Sequence, residues 1–384
     1  MKKSTRRFTI SFGVLLFFLG AGLVGCEQFG AIPKGQYLVK AQQSPQYDND
    51  RGIFVNRRPD ILDTMTVWQR FWADPFGSDE PNFFFNSNQT EPDAPMPEDN
   101  NPDLTAFQHS DDVIKFIWLG HSTILLSVDG KTILIDPIFS DHAAPVPIAA
   151  KRFQPPAIAL DQLPPIDHII ISHDHYDHLD METVKHFIGK DVAFLTPTGV
   201  GAHLRHWGVD ADKITELDWW QDAEIKGITF AATPSQHFSG RIGFVNNNKT
   251  LWASWVIQGQ NQSVFFSGDS GYDTHYKDIG LKYGPFDIVF MENGQYNEGW
   301  RAVHNLPEEA ILGFQELGGR YLVPVHWGMF NLSVHNWYDP PNEITRRAKA
   351  ANINLITPRL GQVIALDNPP LYDQWWLEVK PKVN

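Results

Sequence analysis

From Asp112 to Leu366 the chain alternates short apolar runs with polar punctuation, at a spacing too tight for long helices. Val113–Leu119, Ile124–Val128 and Thr132–Ile135 form a predicted meander, and Asp129-Gly130 between the last two is a favoured two-residue hairpin turn. Further strand-length runs are His168–Ser172, Ala193–Thr196, Ile228–Ala232, Thr250–Gln258, Ser263–Ser267, Asp287–Met291, Tyr321–Val325 and Gln362–Leu366. Helices are predicted between them at Met181–Ile188, Val200–Trp207, Pro307–Leu317 and Asn342–Ala351. Pro307 suits a first helical position because it lacks the N–H that would go unpaired there. Glu308 and Glu309 face the positive end of the helix dipole, and Gly318-Gly319 stops the helix. Many short strands with a few interspersed helices predict a layered α/β domain and not an all-β barrel.

Upstream, Glu27 to Asp103 is rich in Pro, Asn, Asp and Gln, with scattered aromatics such as Tyr47, Phe54, Trp68 and Phe83. This composition predicts a tether and an irregular extension whose aromatics pack on the main domain, with one helix-like piece over Ile61–Trp72. Asn86–Asp103 reads as an exposed loop. The expected organisation is a leader over 1–25, an extension over 26–105, a catalytic domain over 106–370 and a tail over 371–384.

Met1–Gly25 carries no acid and four bases, Lys2, Lys3, Arg6 and Arg7, followed by an apolar run from Phe8 to Val24. A basic start, an apolar middle and a small-residue close are the order of a secretory signal. The competing reading is an uncleaved membrane anchor, since the run is nearly long enough to span. Leu23-Val24-Gly25-Cys26 resembles the bacterial lipobox, which implies that Cys26 is lipidated and begins the mature chain. The expected location is then the bacterial cell envelope, held by lipid. Glu27 after the cysteine favours the outer membrane, facing the periplasm.

The 384 residues include 31 Lys+Arg against 45 Asp+Glu, a net charge of −14, with 42% hydrophobic residues and one cysteine. Disorder is excluded by the hydrophobic fraction. A single cysteine excludes a disulfide framework and Cys-rich structural zinc sites. The acidic balance argues against a nucleic-acid partner, because phosphate binding needs a basic surface. Loss of the four leader bases leaves 27 Lys+Arg against the same 45 acids and sharpens the charge to −18.

The most informative segment is Ser172-His173-Asp174-His175-Tyr176-Asp177-His178-Leu179-Asp180, between the apolar Ile169-Ile170-Ile171 and a predicted helix. Imidazoles and carboxylates gathered at a strand end cannot all be buried without partners, at a few kcal/mol for each unpaired group. A divalent metal resolves this, and neutral imidazole with carboxylate suits zinc. H-x-H-x-D-H after a strand resembles the signature of the metallo-β-lactamase fold superfamily. Its later ligands have counterparts in the expected order: His237 in Pro234-Ser235-Gln236-His237, Asp269 in Ser267-Gly268-Asp269-Ser270, and His326 in Val325-His326-Trp327. The resemblance implies an αββα sandwich of two mixed sheets with helices outside. It also implies two Zn2+ per chain: His173, His175 and His237 on one, Asp177, His178 and His326 on the other, and Asp269 with a water or hydroxide bridging them.

Longer stretches resemble the N-acyl-phosphatidylethanolamine-hydrolysing phospholipase D family. They include Trp118-Leu119-Gly120-His121-Ser122-Thr123, Asp136-Pro137-Ile138-Phe139-Ser140, Lys151-Arg152-Phe153-Gln154-Pro155-Pro156, Gln236-His237-Phe238-Ser239-Gly240-Arg241 and Leu251-Trp252-Ala253-Ser254-Trp255. Met329 after His-Trp-Gly, Val334-His335-Asn336 and Ala149 depart from the family pattern near the expected pocket rim. The resemblance implies hydrolysis of a membrane phosphodiester to an N-acylethanolamine and phosphatidic acid, with the bridging hydroxide as nucleophile and phospholipid as partner. A homodimer stays open.

Asp177 and Asp269 are expected in the catalytic machinery. His121 and His304 are candidates for leaving-group or supporting contacts, with a purely structural role equally open. Arg241 meets either a lipid phosphate or a buried carboxylate. Asp136 is expected to orient a ligand histidine from beneath. The competing functions are a lactonase or other ester hydrolase acting on a small soluble substrate, and a non-catalytic envelope lipoprotein.

Overall fold

The computed structural model describes residues 27–65, 89–109, 112–147, 149–241 and 247–379. The leader, Cys26 and most of the helix-like piece expected over Ile61–Trp72 lie outside the described residues; within them, that piece is one 3-10 turn at Ile61–Thr64. No helix among the described residues is long and apolar enough to cross a membrane.

In chain order the strands are β1 (Tyr47–Asp48), β2 (Ile53–Phe54), β3 (Lys115–Trp118), β4 (Ile124–Val128), β5 (Lys131–Ile135), β6 (His168–Ile170), β7 (Ala193–Pro197) and β8 (Ile214–Leu217). They continue with β9 (Asp222–Ile225), β10 (Ile228–Thr233), β11 (Ser254–Gln258), β12 (Ser263–Phe266), β13 (Phe286–Glu292), β14 (Gly319–Val325), β15 (Asn354–Leu355) and β16 (Val363–Ala365). Two seven-stranded sheets result, ordered β16-β3-β4-β5-β6-β7-β8 and β15-β14-β13-β12-β11-β10-β9. Both are mixed: β5 through β8 run parallel, as do β12 through β15, and the other neighbours are antiparallel.

Side-chain alternation along a strand sorts the apolar residues into layers. Phe116, Trp118, Ile133 and Ile135 of one sheet meet Phe230, Trp255, Phe290 and Val323 of the other in the central core. The intervening residues point outward. Leu125, Leu134 and Ile169 pack with Met181, Val184 and Leu204 of the helices Met181–His186 and Gly201–His206. On the opposite side, Val256, Phe265 and Val289 pack with Ile279, Phe314 and Ile344 of the helices His275–Tyr283, Pro307–Leu317 and Asp339–Ala350. Strands covered on both faces need apolar residues at every position, which is why they read as unbroken runs. The architecture is the αββα sandwich.

The differences from expectation are local. β8, β9, β15 and the helix His275–Tyr283 have too many polar residues to register as apolar runs. The helix expected at Asn342 begins at Asp339, because Pro340 and Pro341 occupy its first turn, where their missing donors go unused. Residues 89–103 are not simply an exposed loop: Met96 is buried, and its backbone N–H and carbonyl both pair with the Gln154 amide. Nor is 371–379 a free tail. Trp375 and Trp376 are fully buried, and Trp375 stacks on Trp327 at 5.4 Å.

Candidate metal centre

The functional side chains sit where strands end, all along one edge of the sandwich. His173, His175, Asp177 and His178 follow β6, His237 follows β10, Asp269 follows β12 and His326 follows β14. His121 follows β3, and Glu292 is the last residue of β13. His121, Asp136 and His326 all take the left-handed backbone conformation, with φ of 52°, 40° and 68°. Such strain concentrates where a fold must aim a side chain. Gly294 makes a close approach possible: a Cβ there would lie 1.3 Å from the His326 carbonyl oxygen.

Three imidazole nitrogens face one another. His173 Nε2 lies 2.8 Å from His175 Nδ1, which lies 3.2 Å from His237 Nε2. Asp177, His178, His326 and His121 form the adjoining cluster. Asp269 lies between the two, with Oδ2 at 3.8 Å from His173 Nε2, 3.7 Å from His237 Nε2 and 3.2 Å from His178 Nε2. Its other oxygen, Oδ1, is 3.2 Å from His326 Nδ1.

Supporting contacts fix the rings. The His178 Nδ1 donates to Asp136 Oδ2 at 2.7 Å, and Asp136 also accepts from the Ser172 N–H and hydroxyl. His237 Nδ1 donates to the Val303 carbonyl at 3.0 Å, and the Ser122 hydroxyl lies 3.1 Å from His326 Nδ1. His121 Nε2 holds Asp177 Oδ2 at 3.0 Å. His304 Nδ1 pairs with Glu292 Oε1 at 2.8 Å.

Burial lowers His173, His237 and His326 well below the ordinary histidine value, and neighbouring imidazoles lower His173 further, so these rings are neutral. Burial alone would raise the Asp177 and Asp269 carboxyls. His178, joined by His121 at Asp177 and by His326 and His173 at Asp269, outweighs it and holds both well below the usual carboxylate range. At His178 itself Asp269, Asp177 and Asp136 overcome burial and raise the imidazole well above its ordinary value. The site thus stabilises positive charge at its centre. His178 Nε2 and Asp269 Oδ1 are buried without a hydrogen-bond partner. Orphaned atoms of this kind, among neutral imidazoles and ionised carboxylates, fit a divalent cation.

Beside this cluster opens a cavity of about 240 Å³. His175, Asp177, His237, Asp269, His304 and His326 form its polar end. Met65, Phe238, Trp300, Val303 and Leu332 line the remainder, joined by Gln295. Arg241 is absent from this lining. Its Nε donates to the Gln28 carbonyl at 2.9 Å and its Nη1 to the carbonyls of Asp174 and Leu179 at 2.8 and 2.9 Å. Arg241 sits away from this cavity; it meets backbone carbonyls, and the buried Asp174 and Asp180 carboxylates lie near enough to act on its charge. Glu292 and the apolar wall were not foreseen. Glu292 shares the strand-end position of the metal-facing residues, a signal that would have found it, whereas the wall is assembled from distant loops and has none.

Residues 131–327 match the model of the beta-lactamase superfamily domain. An uncharacterized protein of Mycobacterium tuberculosis is 38% identical over 348 residues, 88% of each chain. The N-acyl-phosphatidylethanolamine-hydrolyzing phospholipase D 1 of Caenorhabditis elegans is 32% identical over 273 residues, 66% of this chain and 76% of its own. A metallo hydrolase from the archaeon Ignicoccus hospitalis has the same fold, with a TM-score of 0.52 at 20% identity over 66% of this chain and 98% of its own. Fold and site together define a metal-dependent hydrolase. The chain belongs to the metallo-β-lactamase fold superfamily, with relatives among the N-acyl-phosphatidylethanolamine-hydrolysing phospholipases D.

Proposed function

We propose that the protein is a dinuclear-zinc phosphodiesterase that hydrolyses an N-acyl-phosphatidylethanolamine-like phospholipid to an N-acylethanolamine and phosphatidic acid. The observation that carries this reading is the two-ended cavity: a His/Asp cluster at one end and Met65, Phe238, Trp300, Val303 and Leu332 at the other. A small soluble ester needs no such wall, whereas a phospholipid presents a charged phosphodiester joined to apolar chains. That the 32% identical C. elegans relative is named an N-acyl-phosphatidylethanolamine-hydrolyzing phospholipase D supports the same substrate class.

His173, His175 and His237 would hold one ion, Asp177, His178 and His326 the other, and Asp269 both. Bound there, two divalent ions supply an activated water and stabilise charge on the phosphoryl oxygens. The chain's own contribution is orientation and proton handling. Asp136 and Ser172 keep the proton of His178 on Nδ1 and turn Nε2 toward the centre. His121 holds the Asp177 carboxylate. His304 lines the cavity; burial alone would lower its imidazole, Glu292, Asp269 and Asp177 together raise it, and burial pushes the Glu292 carboxyl up to about 7, so the two side chains share a proton beside the cavity. With Nδ1 engaged by Glu292, the His304 Nε2–H is the candidate donor to the leaving oxygen.

Lipidation of Cys26 would keep the enzyme at a bacterial envelope membrane, where its substrate lies, and would offset the repulsion between a net-acidic chain and anionic lipid. Cys26→Ser is expected to leave unprocessed, unlabelled precursor; normal lipid labelling would refute the anchor. For the activity, vesicles containing N-acyl-phosphatidylethanolamine and a panel of lactones are compared by mass spectrometry, alongside elemental analysis of the purified protein. Release of N-acylethanolamine with about two zinc ions per chain is expected. Turnover of lactones alone would overturn the phospholipase reading.

A further inference from the structure

The loop that carries His173, His175, Asp177 and His178 is held from behind by Asp174 and Arg241. Asp174 is buried. Its Oδ1 accepts the Gly240 N–H at 2.7 Å, and its Oδ2 accepts the Thr250 hydroxyl at 2.9 Å and pairs with His203 Nε2 at 3.1 Å. Arg241 ties the loop's two ends together through the carbonyls of Asp174 and Leu179, while its guanidinium covers the Tyr176 ring at 3.9 Å.

Both braces are themselves engaged by the amino-terminal segment. The Ala31 N–H donates to His203 Nδ1 at 3.1 Å, and Gln28 offers its carbonyl to Arg241 Nε at 2.9 Å. Glu27 adds an ion pair with Lys185 at 2.7 Å and accepts the Trp207 indole N–H at 2.8 Å on its carbonyl. Gly30, at φ +65°, lets the segment lie flat on His203: a Cβ there would fall 2.1 Å from Nδ1. Because Nδ1 accepts from Ala31, the single proton of the neutral ring must sit on Nε2 and be donated to Asp174. His203 therefore transmits a backbone contact from residue 31 to the residue lying between two metal-facing histidines.

We infer that residues 27–31 form a positioning strap for the metal-binding loop, with His203 and Arg241 as the positioning residues through which it acts. Partners standing behind a ligand set tune metal affinity by about 10–100-fold. This strap differs in reaching the ligands from a segment outside the catalytic domain. The inference rests on the metal assignment proposed above.

The test uses full-length protein stripped with chelator. Zinc affinity is measured by competition with a chromophoric chelator, and the melting temperature of the metal-free protein is measured in parallel. Gly30→Ala and His203→Ala are expected to weaken zinc binding about tenfold or more, with KM for a short phosphodiester nearly unchanged. His203→Gln should restore binding, since the Gln amide can accept from Ala31 through Oε1 and donate to Asp174 through Nε2. Gly30→Ala added to His203→Ala should cost no further affinity, because the contact is already gone. Wild-type affinity in Gly30→Ala and His203→Ala, or equal losses in His203→Ala and His203→Gln that follow lowered metal-free melting temperatures, would overturn the strap and leave the metal reading intact. Failure of the wild-type protein itself to bind zinc would overturn both.

Discussion

The Asp136 carboxylate and the His178 imidazole are both fully buried, and they share a 2.7 Å hydrogen bond beneath the metal-facing nitrogen of His178. Burial alone raises Asp136, while the His178 charge acts in the opposite direction. The pair therefore persists because each member satisfies the other, as buried charges require. Asp136→Asn should preserve most of the shape and weaken metal binding about 10–100-fold, read by chelator competition. Unchanged affinity would show that Ser172 alone can orient the ring.

Asp269 is the residue whose loss should be most severe, because Oδ2 faces His173 and His237 of one cluster while Oδ1 faces His326 of the other. Asp269→Ala is expected to lower metal content and to cut phosphodiester hydrolysis by at least on the order of a thousandfold. Hydrolysis at the wild-type rate would contradict the shared-carboxylate arrangement.

Leu332 and Phe238 test the apolar end of the cavity. Leu332→Asp should raise KM for a long-chain N-acyl phospholipid about tenfold, the equivalent of roughly 1.4 kcal/mol of lost apolar contact. A water-soluble aryl phosphodiester should be hydrolysed nearly as before. Equal loss on both substrates would place Leu332 in fold maintenance instead of lipid binding.

His168, at the start of β6 and far along the strand from the ligands, gives the stability a pH dependence. Burial lowers it from 6.5 to about 4 in the folded chain. Between those values the unfolded chain binds a proton that the folded chain does not, so stability falls as pH drops from about 6.5 toward 4 and is unaffected by this group above that window. The full loss amounts to roughly 3 kcal/mol. The metal-free protein's urea midpoint should show this decline on top of the one from the buried His173, His237 and His326, and His168→Gln should make it shallower. A midpoint that rises on acidification through this range would refute the assignment.

The amino-acid sequence by itself determined the layered α/β fold, most strand positions, the bounds of the helix Pro307–Leu317 and the order of the metal-facing residues. Those features are local: a strand covered on both faces needs an unbroken apolar run, and His173 to His178 carry their pattern within one turn of chain. Polar edge strands such as β9 escaped because exposure removes the apolar signal. Only the tertiary structure decided what Arg241 does, since the Gln28 carbonyl it holds is 213 residues away in the chain. Its charge suited a phosphate equally well. The same holds for the pairing of Glu292 with His304, the apolar wall and the burial of Trp375 and Trp376. Each depends on which strand ends and loops converge, and convergence is set by sheet order, not by the spacing of residues along the chain.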